Sequence, residues 1–435
     1  MSHEVLVPYF SLLESRPAVS WRGRVTQVVG NLLESVGPPC CLGECCEIRD
    51  SAGHLYSGEV VGFRGATVLT MPLEKPSGVR YGDPIVAHGE RPSIAVGEDL
   101  LGRVIDGAGH PLDGRGPCSA RERRGLDGAA PLALQRLPIR EPLGCGIRAI
   151  DAFLTCGRGQ RLGIFGGSGV GKSTLLGMMA RGTSADLTVL ALVGERGREV
   201  GEFLEGLGEA GRQRSVVVVS TSDQSPLLRI RAALTATAIA EYFCQTGKDV
   251  LLVVDSLTRF AMAQREIGLA AGEPPTAKAY TPSVFSMLAR LVERAGRFAT
   301  GSITAFYTVL MEGDDQQDPL VDALRSLVDG HIVLDRGLAS QNQYPPIAVL
   351  DSLSRLMPAV VSREHLNHSY HLRALLSAYA RSEDLIRIGA YGKGADPVLD
   401  RAIAVLPELQ AFLRQTPQER AAFADTVARL NALCG

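Results

Sequence analysis

Gly166-Gly167-Ser168-Gly169-Val170-Gly171-Lys172-Ser173 matches G-x-x-x-x-G-K-[ST] without a gap. An apolar run at 162–165 enters it, and a stretch of helical period leaves it from Lys172. Glycines in such a loop let successive backbone N–H groups point inward around phosphates, where the helix N-terminus adds positive potential. Lys172 then reaches the β/γ-phosphates, the Ser173 hydroxyl ligates Mg²⁺, and Thr174 adjoins them on the first turn. A dinucleotide-type G-x-G-x-x-G fingerprint is not present here. The stretch therefore marks an ATP site on a P-loop α/β fold.

The residues around it agree. Further apolar runs stand at 187–193, 215–219, 250–254, 303–310 and 331–334, with helical-period stretches such as 172–181 and 227–243 between them. Apolar strands alternating with helices predict a mostly parallel sheet covered on both faces. Upstream, short β-rich runs at 24–29, 58–63, 66–71 and 83–87, some spaced by turns, predict a small barrel or sandwich. The Gly-, Pro- and Arg-rich stretch 97–146 reads as a long ordered connection. Beyond about 365 the strands stop, and helices are expected at 370–381, 397–405, 408–413 and 417–433. The domain expectation is a partner segment over 1–20, a β-barrel over 21–95, a P-loop core over 96–365 and a helical domain over 366–435. Val5 to Leu13 form a short amphipathic start, read first as a packing segment.

Composition narrows the classes. The 435 residues are 45% apolar and 21% charged, with a net charge of −2, so no global pull toward nucleic acid or anionic lipid is visible. Only five lysines stand against 40 arginines, which makes Lys172 conspicuous. No apolar run approaches the roughly 18 residues of a membrane span, and residues 1–16 lack signal-peptide features. Four of the nine cysteines crowd into 40–46, where Cys41 and Cys45 just meet a metal-ligand spacing. No partner cluster follows, so they read as small apolar side chains of a half-buried strand. The scattered remainder suits a reducing, cytosolic compartment.

Two acids complete the expected site. Asp255 ends the run 250–254, where a P-loop needs a carboxylate for the Mg²⁺ water shell. Glu195 follows the run 187–193, on the rim where such sheets bind ligands. There it would polarise the attacking water; taken alone, Glu195-Arg196-Gly197-Arg198-Glu199 is a charged surface loop.

Long ordered stretches carry a resemblance. GCGIRAIDAFLTCGRGQRLGIFGGSGVGK (144–172), GERGREV (194–200), DSLTRFAMAQREIGLAAGEPPT (255–276), GSITAFYTVLMEGDD (301–315) and YPPIAVLDSLSR (344–355) resemble the ATPases of flagellar and injectisome type III protein export. These are relatives of the catalytic β subunit of rotary ATP synthases. The resemblance implies a RecA-like core with a β-barrel before it and a helical domain after it. It raises Glu195 to the catalytic carboxylate, with Arg196 and Arg259 beside the γ-phosphate. It makes Tyr344 the aromatic that stacks on adenine, otherwise a core tyrosine. Arg355 becomes an arginine finger for the neighbouring subunit's site, otherwise a surface ion-pair arginine. It further implies a homohexamer, peripheral to the cytosolic face of the inner membrane. The implied partners are a regulator, stalk and gate proteins, export substrates and their chaperones, with no nucleic acid. Ala279, Ala289, Gly201 and Asp335 depart from the pattern and bear on loop geometry. The second aromatic wall of the adenine pocket has no assignable residue.

Alternatives stay in view. The rotary β subunit carries a strongly acidic motif where this chain has GAYGKGADP (389–397), as export ATPases do. LTCGRGQR (154–161) and LLGMMAR (175–181) look flagellar more than injectisome. A ring RNA translocase would need a basic groove with stacking aromatics, and residues 1–95 hold few of either. A non-catalytic scaffold subunit would lose the base or the lysine, and both are present.

Overall fold

The computed structural model describes residues 21–120, 122–311 and 318–434; the amphipathic start and the segment 1–20 lie outside them. Six strands close the first domain: β1 (Trp21–Val29), β2 (Leu32–Val36), β3 (Cys45–Arg49), β4 (Leu55–Arg64), β5 (Thr67–Pro72) and β6 (Pro84–Ala87). They form a closed barrel in the order β1-β2-β5-β4-β3-β6. Strands β2 and β3 are additional to the four expected. β2 follows β1 across the two-residue turn Gly30-Asn31, with Gly30 at φ +60°, so one run of sequence holds two strands. In β3 the alternation is simple: Cys46 and Ile48 point into the barrel core. Burial lifts the Cys40 thiol to about 11 and that of Cys46 to about 12, so both stay protonated. No group of metal-holding side chains occurs among the described residues.

The barrel ends at Ala87, short of the expected 95. The next strand, β7 (Ser93–Val96), leaves it and pairs with β9 (Glu122–Gly125). Between them β8 (Val104–Asp106) joins the edge of the main sheet, so the expected connection contributes strands of its own. Three or four residues are too few to display a period.

The core follows mostly as strands alternating with helices. Helix α1 (Arg148–Phe153) precedes strand β10 (Arg161–Gly166), which leads into α2 (Lys172–Gly182). Next come β11 (Leu187–Glu195), α3 (Gly197–Gln213), β12 (Ser215–Thr221), α4 (Pro226–Gln245), β13 (Asp249–Asp255), α5 (Leu257–Ala271) and α6 (Pro282–Val292). The series closes with β14 (Ser302–Leu310), α7 (Pro319–Leu327), β15 (Gly330–Val333) and β16 (Leu353–Ser354). Across the sheet the order is β16-β15-β10-β14-β13-β11-β12-β8, parallel except for the edge strand β16. Alternate residues serve opposite faces, as a two-sided sheet requires. Val189, Ala191, Leu252, Val254, Ala305 and Tyr307 pack toward α4, α5 and α6. Leu190, Leu192, Leu251, Val253 and Phe306 pack toward α1, α2 and the C-terminal helices.

Three helices end the chain: α8 (Arg363–Arg387), α9 (Pro397–Leu413) and α10 (Phe423–Cys434). The helices expected at 397–405 and 408–413 are one, α9, which runs through Pro407 with Val405 and Leu409 both buried. Residues 417–422 are not helical as expected. Their approach is pinned instead by the buried Arg148, whose guanidinium donates to the carbonyl of Phe412 at 2.7 Å, to that of Arg414, and to Glu419. Among the described residues no helix is long and apolar enough to cross a membrane. Two of the departures from pattern have visible consequences. Ala279 adopts a left-handed φ of +59°, a conformation that costs a non-glycine residue about 1 kcal/mol. Asp335 caps the short helix Arg336–Ser340 by accepting from the Leu338 amide at 2.7 Å.

Candidate active site

The carboxyl ends of β10, β11 and β13 open on one rim, and the phosphate loop crosses it. Gly169 (φ +79°) and Gly171 (φ +97°) occupy the left-handed region that turns the backbone inward before α2. Gly167, Ser168, Gly169, Gly171, Lys172, Ser173 and Thr174 line a cavity of about 630 Å³. Gly166 ends β10, and Val170 is 3% exposed within the core, so these two anchor the loop. Glu195, Arg196 and Arg259 line the same cavity.

Asp255 lies beneath it, 2% exposed. Its Oδ1 accepts from Lys172 Nζ at 2.7 Å and from the hydroxyl of Thr308 at 2.6 Å. A buried carboxylate at a strand end, beside the P-loop lysine, fits the acid that Mg²⁺ requires. So does the exposed Ser173 on the first turn of α2. Mg²⁺ is held through one or two carboxylates together with phosphate oxygens and water, so a large protein ligand cage is not needed.

Glu195 ends β11 and is 7% exposed. Burial, then the charge of Asp255, push its carboxyl up to about 7, against the pull of Lys172 and Arg259. Arg259 Nε lies 3.3 Å from Glu195 Oε1, but the N–H does not point at the oxygen, and neither atom has a hydrogen-bond partner among the described residues. The charges attract while the lone pairs of Oε1 stay available. A buried, unpartnered carboxylate oxygen beside a phosphate cavity is where a nucleophilic water would be held. Gly194 makes this approach possible: a Cβ there would stand 3.0 Å from Arg259 Cδ. Arg196 stands at the N-cap position of α3, its side chain 78% exposed and 3.9 Å from Glu199.

The tyrosine expected to stack on adenine lies close by. Tyr344, 44% exposed, stands over Gly171, and both line a second cavity of about 530 Å³ that shares Thr174 and Pro417 with the first. The second wall, which sequence reasoning left unassigned, is not aromatic. It is built by Arg414, Gln415, Thr416 and Pro417, from the segment after α9. Gln415 fixes that wall: its amide donates to Tyr344 O at 2.8 Å and its side chain to Gly146 O at 2.8 Å, while its Oε1 accepts from the Arg148 amide at 2.9 Å. No motif announces a polar residue 267 and 269 positions from two of its partners. Tyr344→Ala is expected to raise KM for ATP about tenfold with kcat kept, since stacking on a base contributes on the order of 1–3 kcal/mol. Steady-state phosphate release against ATP concentration measures this.

Arg355 stands apart from both cavities. It follows β16 on the sheet edge, exposed, with its amide bonded to Asp329 O at 3.0 Å and its guanidinium reaching only Val328 O at 3.4 Å. An edge position with no carboxylate partner among the described residues is what a group serving another subunit would have.

Fold and site together define a P-loop nucleoside-triphosphatase with a RecA-like core. Residues 25–89 match the β-barrel domain of the ATP synthase alpha/beta family, 146–354 match its nucleotide-binding domain, and 361–432 match the T3SS EscN ATPase C-terminal domain. The chain is 50% identical to the flagellum-specific ATP synthase of Bacillus subtilis strain 168, over 95% of each chain. It is 48% identical to the type 3 secretion system ATPase of Sinorhizobium fredii, over 95% of this chain and 92% of the other. The assembled ATPase EscN of enteropathogenic E. coli, solved with its central stalk EscO, matches with a TM-score of 0.88 at 43% identity, over 95% of this chain and all of that one. The chain belongs to the flagellar and type III secretion ATPases, and it is an ATPase.

Proposed function

We propose that the chain hydrolyses Mg-ATP at the subunit interfaces of a homohexameric ring and so energises flagellar-type protein export. The ring engages substrate–chaperone complexes at an export gate on the cytosolic face of the inner membrane, together with a regulator and a stalk protein. The observation that carries this reading is an intact hydrolytic set, Lys172, Glu195 and Asp255, on a chain half identical to a flagellum-specific ATP synthase. Identity does not separate the branches, since flagellar relatives stand at 46–51% and type 3 secretion relatives at 47–50%; the segments at 154–161 and 175–181 favour the flagellar branch.

In this reading the P-loop amides and Lys172 bind the β- and γ-phosphates, and Lys172 exchanges Asp255 for phosphate oxygens as nucleotide enters. Tyr344 and the segment 414–417 hold the base. Ser173 and Asp255 would hold Mg²⁺, which when bound neutralises charge on the β- and γ-phosphates. Glu195 Oε1 orients the attacking water and draws off its proton. Arg196 and Arg259, with Arg355 of the adjacent protomer, balance the charge that develops on the γ-phosphoryl group.

A cellular experiment tests the assignment. In a strain lacking the gene, motility and export of filament protein are expected to be lost. The wild-type gene should restore them, whereas Lys172→Ala should yield a stable protein that restores neither. Normal motility without the gene would exclude the flagellar reading, and loss of host-contact secretion instead would select the injectisome.

A further inference from the structure

One hydroxyl of the sheet interior is committed to a site acid. Strand β14 runs between the P-loop strand β10 and the Asp255 strand β13. Its Thr308 stands opposite Ile164 on one side, and the preceding Tyr307 stands opposite Val254 on the other. Thr308 is 0% exposed. A buried hydroxyl left unbonded costs about 1–3 kcal/mol, and a threonine elsewhere in the core meets that need locally: Thr237 donates to the carbonyl of Ala233 one turn back. Thr308 instead donates across strands to Asp255 Oδ1 at 2.6 Å.

The arrangement restricts the carboxylate. An aspartate's second side-chain torsion is broad, so backbone position alone does not aim its oxygens. A β-branched donor is stiff about χ1, and both backbones are locked in a parallel ladder. Lys172 shares the same oxygen at 2.7 Å, but it is needed at the phosphates once nucleotide binds. Thr308 has no such second task.

We propose that Thr308 is a positioning residue for ATP hydrolysis: its hydroxyl keeps the Asp255 carboxylate in one orientation when Lys172 leaves, so that the other oxygen meets the water shell of Mg²⁺. The inference rests on Asp255 being the magnesium acid.

The test compares Thr308→Val, which keeps the shape and removes the donor, with Thr308→Ser, which keeps the donor. Affinity for a fluorescent ADP is measured with Mg²⁺ and with EDTA, alongside turnover against free Mg²⁺ and the melting temperature. Loss of a residue that orients a metal ligand typically costs 10–100-fold in metal affinity or activity. Thr308→Val is therefore expected to need about tenfold more Mg²⁺ and to lose most of the Mg²⁺-dependent gain in ADP affinity. Its affinity in EDTA and its melting temperature should stay unchanged, and Thr308→Ser should behave as wild type. Wild-type Mg²⁺ dependence in Thr308→Val, an equal loss in EDTA, or a serine variant as impaired as the valine would each overturn the proposal. If Thr308→Val does not fold, Thr308→Cys, a weaker donor of similar size, takes its place with the same expectations. Asp255→Asn separates the premise from the inference. Unaltered Mg²⁺ dependence there sinks the magnesium reading, whereas loss there without loss in Thr308→Val sinks only the role of Thr308.

Discussion

Glu195→Gln is expected to cut ATP turnover by about 10²–10⁴-fold, the range for removing a positioned base, while ATP and ADP still bind. The amide fits the same space but does not take a proton. Its neighbours Lys172, Asp255 and Arg259 remain to hold phosphates. Phosphate release and nucleotide-binding titrations measure the two halves of this expectation, and a variant retaining wild-type turnover would remove Glu195 from the mechanism. The wild-type enzyme carries a second signature of the same residue. Burial raises the Glu195 carboxyl to about 7, and the working form is the ionised one. With Mg²⁺ in excess over ATP, kcat/KM should therefore rise with pH through the neighbourhood of 7 and level off above it. The stability consequence has the opposite sign. A carboxyl whose folded value exceeds its ordinary one favours the fold below that ordinary value, and the contribution is lost as pH rises through about 7. Glu195→Gln should accordingly raise the melting temperature more at pH 8 than at pH 5.

For Arg355→Ala the expectation is a folded subunit that binds ATP normally but hydrolyses it about 10³-fold more slowly or worse, the scale of an arginine finger. Among the described residues of its own subunit the Arg355 guanidinium reaches only the Val328 carbonyl, at 3.4 Å, and it lines neither cavity. Removing it therefore disturbs little of its own chain. The decisive form of the experiment mixes two inactive proteins. Lys172→Ala lacks a competent site but keeps a finger; Arg355→Ala lacks the finger but keeps the site. Co-assembled rings should recover turnover at those interfaces where an intact site meets an intact finger. Mixtures as inactive as their components would show that Arg355 does not act across an interface.

Much of this was legible in the sequence because it is local. The glycines, Lys172 and Ser173 are contiguous, and Glu195 and Asp255 each end an apolar run whose direction fixes the rim. The six core runs became strands, since apolar continuity on a two-sided sheet leaves few alternatives. What stayed hidden depends on distance along the chain or on short elements. Strands β2 and β3 of the barrel are five residues each, and β8 has three, too few for a period. Thr308 looked like any β-branched strand residue until its strand was seen beside that of Asp255. Gln415 offered no signal at all, because its role is set by Gly146, Arg148 and Tyr344 meeting in space. The expected second aromatic of the base pocket proved to be a proline, a threonine and polar side chains, so a search for aromatic rings does not find it.

That wall has a mechanical meaning. Pro417 belongs to the segment that joins the last helices, yet it borders both the phosphate and base cavities, and Arg181 of α2 donates to its carbonyl at 2.7 Å. The nucleotide pocket is thus a clasp with one jaw on the sheet and the other on a lever of three helices. Nucleotide contacts made through that wall would couple binding to the placement of the helical domain. By thermodynamic reciprocity, any load that tilts the lever changes nucleotide affinity by the same free energy. A protein pressing on the helical domain need not touch the site to make it release ADP.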